Sequence, residues 1–128
     1  MHGEVPAAAF FIDAPIGRDP VSRVRMAVVA SGKPARTDIA RVGFSRRVSA
    51  VQCTLHSGRT HQIRVHLASR GHPLVADVTY GGAAALGLER QALHAARLGL
   101  LHPVEARPLA FEEPLPDDLT AAWAMVCA

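Results

Sequence analysis

The alternation of apolar and polar side chains divides this chain into short extended segments and two helices. Pro6, Pro15, Gly17 and Pro20 interrupt the first twenty residues, which predicts extended loop with one short strand over 10–13. Residues 25–30 (RMAVVA) predict a strand, and SGKP at 31–34 predicts a turn. Residues 37–44 alternate as the next strand. Residues 48–56 alternate more strictly, with Val51, Cys53 and Leu55 on one face and Gln52, Thr54 and His56 on the other. Past Ser57 and Gly58 the period lengthens: Ile63 and Leu67 are four apart, and Gly71-His72-Pro73 is a helix stop. With Thr60 as N-cap, the pattern predicts a helix over 60–70. PLVAD at 73–77 predicts a short strand and YGGAAALG a loop. Residues 93–101 predict a buried strand closed by Pro103, and 107–112 one more. The tail over 117–126 predicts a helix whose Leu119, Ala122, Trp123 and Val126 share the face that packs on the sheet. The fold class expected from this order is α+β, with a mainly antiparallel mixed sheet and flanking helices.

On a helical wheel at about 100° per residue, Thr60, His61, Ile63, Arg64, Leu67 and Ala68 share one side, and Gln62, His66, Ser69 and Arg70 fill most of the other. Arg64 therefore falls on the side expected to face inward. A guanidinium keeps its proton in a protein, and leaving it buried without an anion would cost on the order of 3–5 kcal/mol. Either Arg64 lays its stem on apolar surface with its head in water, or it meets a carboxylate, for which Asp77, Asp38 and Asp13 are the local candidates. Gly58-Arg59-Thr60 sits where the helix begins. It reads either as an anion site, with Arg59 reinforcing free backbone N–H groups, or as a plain glycine turn with a solvated arginine.

Composition narrows the classes. A chain of 128 residues with 49% hydrophobic residues is sized for a single domain with a real core. No apolar run is long enough to span a bilayer, and Met-His-Gly-Glu-Val-Pro is no signal peptide, so the expectation is a cytoplasmic protein without membrane contact. Cys53 and Cys127 match no metal or redox spacing. His56, His61 and His66 repeat every five residues, which stacks no ligand set on one helical face, so no metal is expected. Of 14 cationic side chains only Lys33 is a lysine, and the formal net charge is +3. That balance fits an anionic partner such as nucleic acid, and equally an arginine-rich composition of no functional meaning.

The stretch GRTHQIRVHLASRGHPLVADVTYGG at 58–82 closely resembles a signature of the RluA-type RNA pseudouridine synthases. IDAPIGRDP, RMAV, GKPA, RQALHAARLGLLHP and PLPDDL follow in the order and spacing of the C-terminal part of that family's catalytic domain. The resemblance implies a pseudouridine-synthase-like α+β fold with a cleft for structured RNA, ribosomal or transfer. It implies cofactor-free isomerisation of uridine to pseudouridine: the uracil detaches, rotates and reattaches through carbon, after its base has left the stack. It also implies a nucleophilic aspartate in an HRLD-type motif, salt-bridged by the arginine that is here Arg64. Arg59, Thr60, His61, Gln62 and His66 are then expected to belong to the RNA-facing wall.

The pattern departs from the family in what it lacks. No HRLD occurs in these 128 residues, nor does the segment that carries the family's base-stacking tyrosine. Tyr80 belongs to the family's DxxYGG loop and is not assigned that role. Ala76 stands where the family usually has glycine, and Asp77, Asp13 and Asp38 do not replace the nucleophile. The expectation is a single domain over 1–128, truncated at its N-terminus. It reads as an RNA pseudouridine synthase that needs a missing N-terminal fragment of the same enzyme, or as a non-catalytic RNA-binding remnant or half of a split enzyme. A decayed product is the third reading, and self-association through exposed strand edges is expected of the isolated chain.

Overall fold

A computed structural model describes residues 1–101, 104–105 and 107–127. Seven strands and two helices follow in the order β1 (Phe10–Asp13), β2 (Ile16–Arg18), β3 (Met26–Val28), β4 (Arg36–Ser45), β5 (Val48–Leu55), α1 (Gln62–Ser69), β6 (Arg97–Leu101), β7 (Pro108–Glu112) and α2 (Asp117–Cys127). A single 3-10 turn, Val78–Tyr80, lies between α1 and β6. This is the α+β class read from the sequence. Every ladder among the described residues is antiparallel, and the strands form three small sheets: β1-β4-β5, β2-β3 and β6-β7.

The longest pairing is the β4–β5 hairpin, in register from Thr37 opposite Leu55 to Ser45 opposite Val48, with a bulge between Arg41 and Gly43. Its two-residue tip is Arg46-Arg47, both at positive φ (56° and 60°), the backbone that matches the twist of the flanking strands. β4 turns Thr37 and Ile39 inward, and Ile12 of β1 meets them from the neighbouring strand. Val48 and Ala50 of β5 pack with Leu119, Ala122 and Val126 of α2, so the last helix covers the hairpin end of this sheet.

Helix α1 lies against β3 and β4. Leu67 packs with Ile12, Ile39 and Leu74, while Val65 packs with Ile16, Ala35 and Tyr80, so α1 joins two hydrophobic clusters. It ends as its sequence indicates: Gly71 sits at φ +80°, and its N–H and that of His72 donate to Ala68 and Leu67 carbonyls.

Five expectations need correction. Gln62 and His66, assigned to the outer face of the helix, are 3% and 0% exposed; buried amide and imidazole groups are tolerated because every polar atom of theirs finds a partner. Thr60 is not the N-cap: the helix starts from His61, whose side chain makes no capping bond. PLVAD is not a strand. Leu74, Val75 and Ala76 are buried in a turn with Ala76 at φ 60°, packed on apolar neighbours without any ladder. Ile16–Arg18, read as loop, pairs with Met26–Val28 as a hairpin, and the buried strand expected from residue 93 begins only at Arg97 and is exposed there, with Leu98 at 60%, in a two-stranded ladder with β7. Pro103, expected to close that strand, lies outside the described residues.

Candidate functional site around Arg64

Arg64 stands on the first turn of α1 with its side chain 13% exposed. Its Nε donates to Asp77 Oδ2 and its Nη2 to Asp77 Oδ1, each at 2.9 Å, and Asp77 is 1% exposed. Of the two fates open to Arg64, the structure shows the paired one. Of the three acids named for it, the partner is Asp77. Asp38 is instead held on the sheet's outer face by Arg36 Nε (3.0 Å) and His56 Nε2 (2.7 Å), and these bonds push its pKa below the usual carboxylate value. Asp13 is exposed at the end of β1. The fork geometry uses two of the five N–H donors of the guanidinium and leaves the Nη1 amino group over. The bond to Asp77 also holds Arg64 even more firmly protonated than an ordinary arginine.

The loop over 74–82 fixes Asp77. The Asp77 N–H donates to Leu74 O (3.2 Å), and the Asp77 carbonyl accepts from Tyr80 N–H (3.2 Å) and Gly82 N–H (2.8 Å). A Cβ at Gly82 would lie 1.9 Å from Leu74 O, so only glycine closes this loop.

Tyr80, which closes the 3-10 turn, is 5% exposed. Its ring centroid lies 4.9 Å from the Arg64 guanidinium carbon and 5.2 Å from that of Arg25, both within cation–π range. Its Oη accepts from Met26 N–H at 3.0 Å and is 2.8 Å from His61 Nδ1. With its faces and hydroxyl so engaged, Tyr80 supports Arg64 and is no open platform for a base. His61 is exposed and takes a left-handed backbone (φ 55°). Desolvation of its ring, then the charge on Arg64, lowers its pKa from the usual value.

Gln62 and His66 form the buried side of the site. Ala14 O can only accept, so in a neutral His66 ring the proton sits on Nε2 (2.9 Å), and Nδ1 accepts from Thr37 Oγ1 (2.8 Å). Thr37 Oγ1 in turn accepts from Gln62 Nε2 at 3.0 Å, which also donates to Arg36 O at 2.9 Å. Gln62 Oε1 accepts from Ser57 Oγ (2.9 Å) and Arg59 N–H (3.0 Å), so Gln62 ties down the chain that enters the helix, the task expected of Thr60. Arg59 Nε donates to Pro34 O at 2.8 Å.

The five residues expected on an RNA-facing wall therefore divide. Thr60 and His61 are exposed and Arg59 is half-buried, whereas Gln62 and His66 offer no polar atom to solvent and hold α1 in place instead. Thr60 and His61 border a hollow of about 230 Å3 whose other wall is the β2–β3 hairpin, with Arg18, Arg23 and Arg25. Sequence reasoning missed those arginines and the part played by Tyr80. The available signal was RDPVSRVR, three arginines astride a proline turn. Among the described residues no group of three or more His, Cys, Asp or Glu side chains is placed to hold a metal ion. No helix there is long and apolar enough to cross a membrane.

Residues 5–69 match the family described as RNA pseudouridylate synthase. The chain is 50% identical over 118 residues to the ribosomal large subunit pseudouridine synthase D of Nitrosomonas europaea, covering 86% of this chain and 34% of that protein. It is 53% identical over 109 residues to an uncharacterized RNA pseudouridine synthase of Chloroflexus aurantiacus, covering 84% and 34%. The solved structure of human RNA pseudouridylate synthase domain containing 1 superposes with a TM-score of 0.76 at 31% identity, covering 94% of this chain and 55% of that one. The chain thus spans about a third of the length of these curated relatives. Since the family match runs from ahead of β1 to the last residue of α1 and so takes in Arg64, this chain belongs to the RNA pseudouridylate synthase family.

Proposed function

We propose that this chain is the C-terminal, arginine-bearing part of the catalytic domain of a pseudouridine synthase. Joined to polypeptide that supplies the nucleophilic aspartate, it isomerises uridine in structured RNA. The relatives named for the ribosomal large subunit favour ribosomal over transfer RNA as substrate, and the cytoplasm as the place of action. The reaction breaks the bond from C1′ to N1 of uracil and forms one from C1′ to C5; the hydrogen on C5 leaves as a proton and N1 takes one up. Nothing is oxidised or reduced, so no cofactor is required. The chemistry asks for a carboxylate held in one orientation and for a base out of its stack.

One observation carries this reading: Arg64 is clamped by Asp77 and backed by Tyr80, while its Nη1 end remains unspent. An arginine held in this way presents a rigid donor pair to a second carboxylate. Arg64 is the positioning cation in this reading, and Arg59, Thr60 and His61 border the RNA. The missing segment of the enzyme would cover the three-stranded sheet, where Phe11 (52%), Val42 (52%) and Phe44 (39%) lie exposed. The chain alone would self-associate through that surface.

The test joins the chain to the part of the Nitrosomonas europaea relative that lies outside the match. Large-subunit ribosomal RNA labelled with tritium at uridine C5 is the substrate, and released tritium is counted. Release by the joined protein and by neither piece alone is expected. A joined protein that folds, binds the RNA and releases nothing would overturn the reading, and so would turnover by the 128 residues unaided.

A further inference from the structure

The hairpin formed by β2 and β3 carries more unneutralised positive charge than any use within the fold explains. Arg18 and Arg23 are exposed, and neither has a carboxylate within ion-pair distance among the described residues. The one acid on this hairpin, Asp19, is committed to the turn: its Oδ1 accepts from Val21 N–H (2.8 Å) and Ser22 N–H (3.2 Å), and it meets Arg25 only at 3.8 Å. Arg25 Nε is the one buried side-chain polar atom without a hydrogen-bond partner among the described residues. A buried donor left unsatisfied is costly, and a ligand oxygen would relieve it. Tyr80 meanwhile fixes the guanidinium of Arg25 from one side, so the fork is set before any ligand arrives. The three arginines open on the hollow shared with Met26, Thr60 and His61. Val21 and Val24, 93% and 76% exposed, stand at the same tip with no core to enter.

We propose that Arg18, Arg23 and Arg25 form a subsite for RNA backbone phosphate, which grips the strand flanking the target uridine. The proposal rests on the reading of this chain as part of a pseudouridine synthase. A phosphodiester offers two non-bridging oxygens to a guanidinium fork, and several arginines along one hairpin suit successive phosphates. The exposed valines take the sugar or base surface between them. Because Tyr80 touches Arg25 as well as Arg64, the subsite is built on the same support as the positioning arginine.

The test measures binding of a fluorescein-labelled hairpin RNA with a uridine-containing loop to the 128-residue chain, over a range of salt. Arg18→Gln with Arg23→Gln removes two exposed, unpaired cations, and Arg25→Lys removes the third fork while keeping its charge. Arg46→Gln with Arg47→Gln at the far β4–β5 tip is the charge-matched control. The double hairpin variant should weaken binding roughly tenfold or more and flatten the salt slope by about 1 to 2, whereas the control changes little. Arg25→Lys should weaken binding by several-fold at an unchanged melting temperature. Equal losses in the hairpin and control variants would reduce the effect to bulk charge and overturn the proposal. So would inorganic phosphate or polyglutamate that competes as well as unlabelled RNA at matched ionic strength. Tritium release from the joined protein reads the family function separately. Hairpin-dependent binding without release would sink the enzyme reading alone, and release without hairpin dependence would sink the subsite alone.

Discussion

Replacing Asp77 by asparagine keeps the side chain's shape and removes its charge. In the native protein both carboxylate oxygens accept from Arg64 at 2.9 Å, and the pair is 1% and 13% exposed. Asparagine can still accept one of the two N–H groups, but turns its own NH2 toward the other. Stranding one member of a buried pair costs about 3–5 kcal/mol. The sliver of exposure on Arg64 lets water recover part of that, which places the loss near 3 kcal/mol, or roughly a 10 °C fall in melting temperature for a chain of this length. Arg64→Met strands the buried acid instead, at similar or greater cost. The double variant Arg64→Met/Asp77→Asn leaves no unpaired charge, so it should be more stable than the sum of the single losses predicts, by about 2 kcal/mol. Urea unfolding followed by circular dichroism gives all four corners of the cycle. If the single losses add within about 0.5 kcal/mol, the two side chains are not energetically coupled and the buried fork is not what holds Arg64.

Three further outcomes follow from the same geometry. Thr37→Val removes the hydroxyl that serves His66 Nδ1 and receives Gln62 Nε2; it should cost about 1–3 kcal/mol in thermal unfolding, while Thr37→Ser stays close to wild type. Cys53 is pushed up to about 11 by burial, and Cys127 is exposed, so an aromatic disulfide reagent at mildly alkaline pH should label Cys127 quickly and Cys53 only on unfolding. Desolvation and Arg64 hold His61 below 6.5, so the unfolded chain takes up this proton more readily than the folded one. Its contribution to stability is intact above 6.5 and drains as pH falls; NMR titration of the ring should place its midpoint below 6.5.

The sequence displays β4, β5 and α2 because each is long enough for its period to show, and the structure places all three within a residue or two of the pattern. Strand β2 is three residues long, holds Gly17 and runs into Pro20, too short for alternation to register, whereas its partner β3 lies inside the strand read over 25–30. Helix α1 misleads the wheel for a physical reason. It is enclosed on most sides, and Gln62 and His66 are buried through hydrogen bonds to Thr37, Arg36 and Ala14, residues far off in sequence that no periodicity can report. The inward placement of Arg64 was legible, because a cation beside Leu67 and Ala68 breaks the apolar pattern. Its partner was not. Asp77, Asp38 and Asp13 look alike along the chain, and only the closing of the 74–82 loop singles out Asp77.

In the function proposed above Arg64 orients an acid, and its geometry more than its charge serves that end. Arg64→Lys in the joined protein tests this most directly, with tritium release measured at saturating ribosomal RNA beside RNA affinity. Lysine keeps the cation but cannot hold Asp77 with one edge and a second carboxylate with another, so turnover should fall at least about a hundredfold while affinity stays within roughly threefold. Turnover by the lysine variant at the wild-type rate would contradict the account.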